Sequence, residues 1–155
     1  MGGSSEEAIE PYATALADGI EAALPRWVVG CVKRVVAAWT GQVPLAVAEA
    51  SEAAGQQALE DTGAAVRALL LSDIDDQRTT PLALLRSAVR YPTGVLKAAG
   101  VPPVERDRFS VEAFPGDDYD LSPSSFAEVD PALAELGIRW GAAKAFEHKR
   151  RHRSG

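Results

Sequence analysis

Residues 6–24, EEAIEPYATALADGIEAAL, decide the fold class. Ile9, Ala13, Leu16, Ile20 and Leu24 recur at spacings of four, three, four and four, the repeat of one face of an amphipathic α-helix. Ser4 and Ser5 offer N-caps, and Glu6 and Glu7 put acids in the first turn, where the helix dipole favours them. Pro25 is expected to open a second helix packed antiparallel to the first. Val28, Val32, Val35 and Trp39 mark its face, Val29 and Val36 widen it, and Gly41 and Pro44 end it. From Pro44 to Leu71 a chain rich in Ala, Glu, Gln and Leu predicts a third helix about 42 Å long. Gly55 and Gly63 mark where it would bend. Ala46, Ala50, Ala54 and Ala58, spaced by four, form a candidate strip for the close approach of another helix.

Further along, residues 72–78 read as a polar turn, and Thr80-Pro81 as a cap followed by proline at the first helical position. Leu82, Leu84, Leu85, Ala88 and Val89 carry a short helix that Pro92 is expected to stop, with a second from Gly94 to Ala99 closed by a left-handed Gly100. Residues 101–123 lack helical period and are read as an extended strap. Residues 122–126 suggest a capped short turn, and Asp130-Pro131 starts a final helix with Leu133, Leu136, Trp140 and Ala143 on one seam. The expected architecture is all-α, an irregular multi-helix bundle with an extended aromatic and acidic strap before the C-terminal helix. Residues 1–148 form one domain, and residues 149–155 a basic, disordered tail.

The chain has 155 residues, 46% of them hydrophobic, and a net charge of −6. That length supports one core without metal or disulfide. No apolar run reaches the roughly 20 residues of a membrane span, and the start lacks the pattern of a secretory signal, so a cytoplasmic protein is expected. Cys31 is the single cysteine and reads as a small buried hydrophobe; with only His148 and His152 beside it, a Cys/His zinc site is out of reach. Ala is abundant and Arg outnumbers Lys, which suggests GC-rich coding DNA.

Motifs for chemistry are sparse. Asp73-Ile74-Asp75 opens like a calcium loop, but Arg78 and Leu84 stand where such a loop needs Gly and Glu. Asp73/Asp75/Asp76 and Asp117/Asp118/Asp120 therefore read as solvated turn acids unless they meet in space. Arg86 and Arg90, one turn apart, read as ion-pairing arginines rather than an anion clamp with Thr79 and Thr80. Nucleophile elbow, Walker loop, HExxH and dinucleotide fingerprint are all missing. No catalytic residue, metal ligand or cofactor is assigned.

Two features suggest recognition instead. Phe114, Asp117, Asp118, Tyr119, Asp120 and Leu121 place aromatic and apolar anchors among acids, a composition suited to docking on this chain's own helices or on a partner protein. Arg139, Lys144, Lys149, Arg150, Arg151 and Arg153 make the C-terminal end basic, two acids against six bases in residues 131–155, on an otherwise acidic body. The first leads to a non-enzymatic adaptor or regulator that binds another protein, and the second to weak, salt-sensitive nucleic-acid association. Residues 25–40, bracketed by Trp27 and Trp39, add a peripheral-membrane reading. A small helical enzyme or metal protein is the remaining alternative. The apolar breadth of residues 27–39 and the length of the third helix suggest homo-oligomerisation.

Overall fold

The computed structural model describes residues 5–71, 80–113 and 123–154, and among them the regular structure is entirely helical. Helix α1, Ser5–Thr40, is a single helix of 36 residues, about 54 Å long at the standard rise. This corrects the expected break at Pro25. Leu16, Ile20, Leu24, Val28, Val32 and Val36 are all buried, each four residues after the last. The buried row thus runs across Pro25 without a gap, winding around a helix that has neighbours on several sides, and a break would throw one half out of register with the core. An interior proline costs a helix about 3 kcal/mol, whereas each fully buried aliphatic side chain contributes about 1.5–3 kcal/mol. Packing wins by its number of residues. At the far end Gly41, at φ +85°, donates its N–H to the Ala37 carbonyl at 2.7 Å and closes the helix.

Helix α2, Leu45–Ala58, a π-turn, Leu59–Gly63, and helix α3, Ala64–Leu71, follow one another without a break. They run back along α1. A Cβ on Gly55 would sit 2.9 Å from the Pro25 carbonyl oxygen, and Arg67 reaches Glu21 through Nε and Nη2 at 2.9 and 2.8 Å and Asp18 at 2.6 Å. The contact strip is Ser51, Gly55 and Ala58; of the four expected alanines Ala58 is buried and Ala54 half-buried against the core, whereas Ala46 and Ala50 are exposed. Backbone touching backbone leaves no room even for a methyl, so the glycine sets the phase. The π-turn has a geometric cause. Ala58, Thr62, Val66 and Leu70 are all buried at spacings of four, a pattern that in a regular α-helix would drift about 120° around the axis over three steps. A wider turn removes part of that drift.

Helices α4, Thr80–Ser87, and α5, Arg90–Ala98, meet at a turn through Ala88 and Val89. Pro92 does not stop a helix as expected but lies in the first turn of α5, where its missing N–H is not needed. Gly100 does close α5, at φ +83°. Its N–H bonds to the Lys97 carbonyl and the Val101 N–H to the Leu96 carbonyl, with Leu96 and Val101 buried together.

The first half of the expected strap is helical: α6 spans Pro103–Ala113. The Pro102 carbonyl accepts from Glu105 and Arg106, starting the helix. Its apolar residues hide the period, because Phe109 is buried while Val104 and Val111 point outward. After a short 3₁₀ turn, Pro123–Glu128, Asp130 Oδ1 accepts the Ala132 N–H at 2.9 Å and leads into α7, Leu133–Ser154. Residues 149–154, expected as a disordered tail, continue that helix.

Helix α1 is the spine, packed against α2, α3, α5, α6 and α7. The N-terminal half meets α7 where Leu133 presses on Gly19. Trp140 anchors α7: it is fully buried, its ring edge-on to Phe126 at 5.9 Å, and its Nε1 donates to the Leu70 carbonyl at 2.9 Å. The seam expected on Leu133, Leu136 and Trp140 therefore faces the core, with Leu136 and Ala143 half-buried. Arg86, bonded to Glu128 at 3.0 Å with both side chains largely covered, ties α4 to the 3₁₀ turn.

Candidate interaction surfaces

Helix α7 has two unlike sides. Leu133, Gly137, Trp140, Gly141, Lys144 and Glu147 are buried, and Glu135, Ile138, Arg139, Ala142, Phe146 and Lys149 are exposed. Ile138 is 52% and Phe146 65% exposed, large values for side chains of this size. Arg139 pairs with Glu135 at 2.6 Å along the same side. Tyr12 of α1 stands beside this strip, and a groove of about 540 Å³ runs between them, lined by Tyr12, Arg139, Ala142 and Phe146.

Helix α6 offers a second outward face, with Val104 74% and Val111 66% exposed seven residues apart and Arg108 between them. On its inner side a cavity of about 230 Å³ opens against α1, with Cys31, Val35 and Phe109 below and Arg34 and Arg108 at the rim. Burial pushes the Cys31 thiol pKa up, and the Arg34 guanidinium, 3.5 Å from Sγ, pulls it partly back. Cys31 is the buried small side chain the sequence suggests.

The π-turn displays Asp61, whose carboxylate accepts from the Tyr91 hydroxyl at 2.6 Å and from Gln57 Nε2 at 2.8 Å. Those two bonds, Tyr91 first, hold Asp61 below the usual carboxylate range. Arg90 donates to the Tyr91 oxygen at 2.9 Å and lies 5.0 Å from the ring centroid. The network joins the π-turn to α5 across 30 residues of sequence, a separation that no local pattern announces.

Phe114, Asp117, Asp118, Tyr119, Asp120 and Leu121 lie outside the described residues, as do Asp73, Asp75 and Asp76. The basic set is divided. Arg139 and Lys149 are exposed, Lys144 is 3% exposed and turned into the bundle, and Arg150, Arg151 and Arg153 stand on the last turns of α7. Lys144 is thus removed from any surface a phosphate could reach. The helices α1 and α7 are antiparallel, Gly19 meeting Leu133 and Tyr12 flanking Phe146. The end of α1 that bears Glu6, Glu7 and Glu10 accordingly shares one end of the bundle with the basic residues.

Of the segment behind the peripheral-membrane reading, Trp27, Val28, Cys31, Val32 and Val36 are buried within the chain, Val29 and Val35 are half-buried, and Trp39 is 44% exposed. Among the described residues no helix is long and apolar enough to cross a membrane, and no three His, Cys, Asp or Glu side chains gather as metal ligands. The outward faces of α6 and α7 escaped the sequence reading. The spacing of Ile138, Ala142 and Phe146 by four was the available signal, masked by the stronger seam around Trp140. No protein-family profile, curated protein or solved structure matches the chain.

Proposed function

We propose that this protein is a non-enzymatic adaptor or regulator of the cytoplasm that binds another protein through an outward helical face. The observation that carries the reading is the set of large apolar side chains held on the outer faces of α6 and α7, Val104, Val111, Ile138 and Phe146. Each loses hydration cost when covered, about 25 cal/mol per Å² of apolar surface, and a folded helix presents them with no loop left to order. The acidic and aromatic residues 114–121 follow directly on α6 and extend the contact in this proposal. A free, buried Cys31 is compatible with a reducing compartment.

Affinity capture from the protein's own cell lysate tests the reading, comparing wild type with Val111→Asp and Phe146→Asp. A stoichiometric protein partner that survives nuclease treatment and is lost from one of the variants is expected. Capture of nucleic acid alone, or of nothing that either variant alters, overturns the proposal.

A further inference from the structure

The exposed side of α7 reads the same way in both directions. Glu135, Ile138, Ala142, Phe146 and Lys149 are spaced three, four, four and three, an acid and a large apolar residue on one side of a small one, a large apolar residue and a base on the other. All five side chains are exposed, and they form a single strip, about 21 Å long at the helical rise. A second such strip laid antiparallel about a two-fold axis at Ala142 matches it at every position. Ile138 meets the second copy's Phe146, Glu135 meets the second copy's Lys149, and each match occurs twice. Ala142 faces itself at the axis, where a methyl lets two helices approach closely. Residue i meeting j while j meets i is the defining property of an isologous interface.

We propose that the occupant of the α7 face is a second copy of this chain, packed antiparallel through α7. The inference rests on the reading of the chain as an interaction protein and names the partner of one of its two faces. Charge complementarity argues for this occupant. With a net charge of −6 the molecules repel one another in general, but the antiparallel arrangement sets each acidic strip end against a basic one, whereas a parallel arrangement stacks like on like. Tyr12, 42% exposed beside Phe146, extends the apolar contact onto α1. Arg139 remains bonded to Glu135 within its own helix, so that Glu135 serves both its neighbour and the second copy's Lys149. A strip this short buries less than the roughly 800 Å² per partner of standard interfaces, the size class of weak and transient contacts, and the dimer is expected to form within the micromolar range.

The test is sedimentation velocity on the purified full chain across roughly 1 to 100 µM, together with oxidation of an Ala142→Cys variant. Wild type is expected to pass from monomer to dimer, and Ala142→Cys to form a covalent dimer, since an axial pair brings the two Cα atoms within about 7 Å. Phe146→Asp should shift the midpoint at least tenfold upward while the circular dichroism spectrum is unchanged, the side chain being exposed. Glu135→Lys should weaken the dimer, and adding Lys149→Glu to it should restore association, a rescue that a merely structural role for either residue would not give. Wild type that stays monomeric throughout overturns the inference, as does a dimer that is indifferent to Phe146→Asp and whose Ala142→Cys variant fails to cross-link. If purified protein is monomeric yet lysate yields a partner lost in Val111→Asp, the second-copy inference falls and the interaction reading stands. If both experiments are empty, both fall.

Discussion

Whether a single methyl group stabilises or harms this protein depends on what stands opposite it. At Gly55 a Cβ would lie 2.9 to 3.3 Å from the oxygen, Cα and carbonyl carbon of Pro25, all backbone atoms that cannot step aside. Gly55→Ala is expected to destabilise by about 1–3 kcal/mol. Gly30, in the same helix as Pro25, has nothing within 4 Å of its would-be Cβ, and Gly30→Ala should instead stabilise by about 0.5–1 kcal/mol through helix propensity. Urea unfolding of the two variants checks the opposite signs. Trp140 separates size from hydrogen bonding. Trp140→Phe keeps a ring but leaves the Leu70 carbonyl buried without its donor, a loss of about 1–3 kcal/mol, whereas Trp140→Ala should cost about 3–5 kcal/mol. Asp61 gives a titration prediction. Its carboxylate is favoured in the folded state, so the stability it supplies is present above the ordinary carboxylate range and is lost as pH falls through its own lowered pKa. Tyr91→Phe removes the larger cause, and carbon-detected NMR titration should find the Asp61 pKa raised in that variant. An unmoved value would mean that the Tyr91 bond does not form in solution.

Among elements, the rod from α2 to α3 carries a prediction about length rather than chemistry. Deleting exposed Glu60 from the π-turn would turn the spacings after Ala58 from four, four, four into three, four, four, the ordinary stripe of an α-helix. Cooperative unfolding and helical dichroism should survive, with stability changed by no more than about 2 kcal/mol. Deleting Glu52 from regular α2 rotates the downstream residues by about 100° and should abolish cooperative unfolding. The same elements explain what the sequence disclosed. Helical class, the Gly100 closure, the Asp130 cap and the Trp140 seam were legible because each rests on local spacing or on one residue's backbone preference. The fusion of residues 5–40 was not, because Pro25 is a strong local signal and the continuous buried row is a longer-range one. Helix α6 was missed for the opposite reason: its exposed Val104 and Val111 and buried Phe109 give no periodic apolar face. Of the surfaces, the α7 strip was present in the spacing but outweighed by the seam behind it, and the Asp61–Tyr91 contact depends on folding alone.

Across the whole molecule, the bundle depends on the last helix in the chain. Truncation after residue 148 leaves every side chain of the core in place and should keep the melting temperature within a few degrees, about 1 kcal/mol or less. Truncation after Ala132 uncovers the side of α1 around Gly19, which α7 covers, and removes Trp140, and should leave a protein without a cooperative thermal transition by calorimetry. The antiparallel pairing of α1 with α7 also has a temporal side. The N-terminal half of α1 leaves the ribosome well before the helix it packs against, with the intervening helices made between them. At about 5–20 residues per second, synthesis of the intervening chain takes on the order of ten seconds, during which the greasy flank of residues 9–24 has no finished shelter.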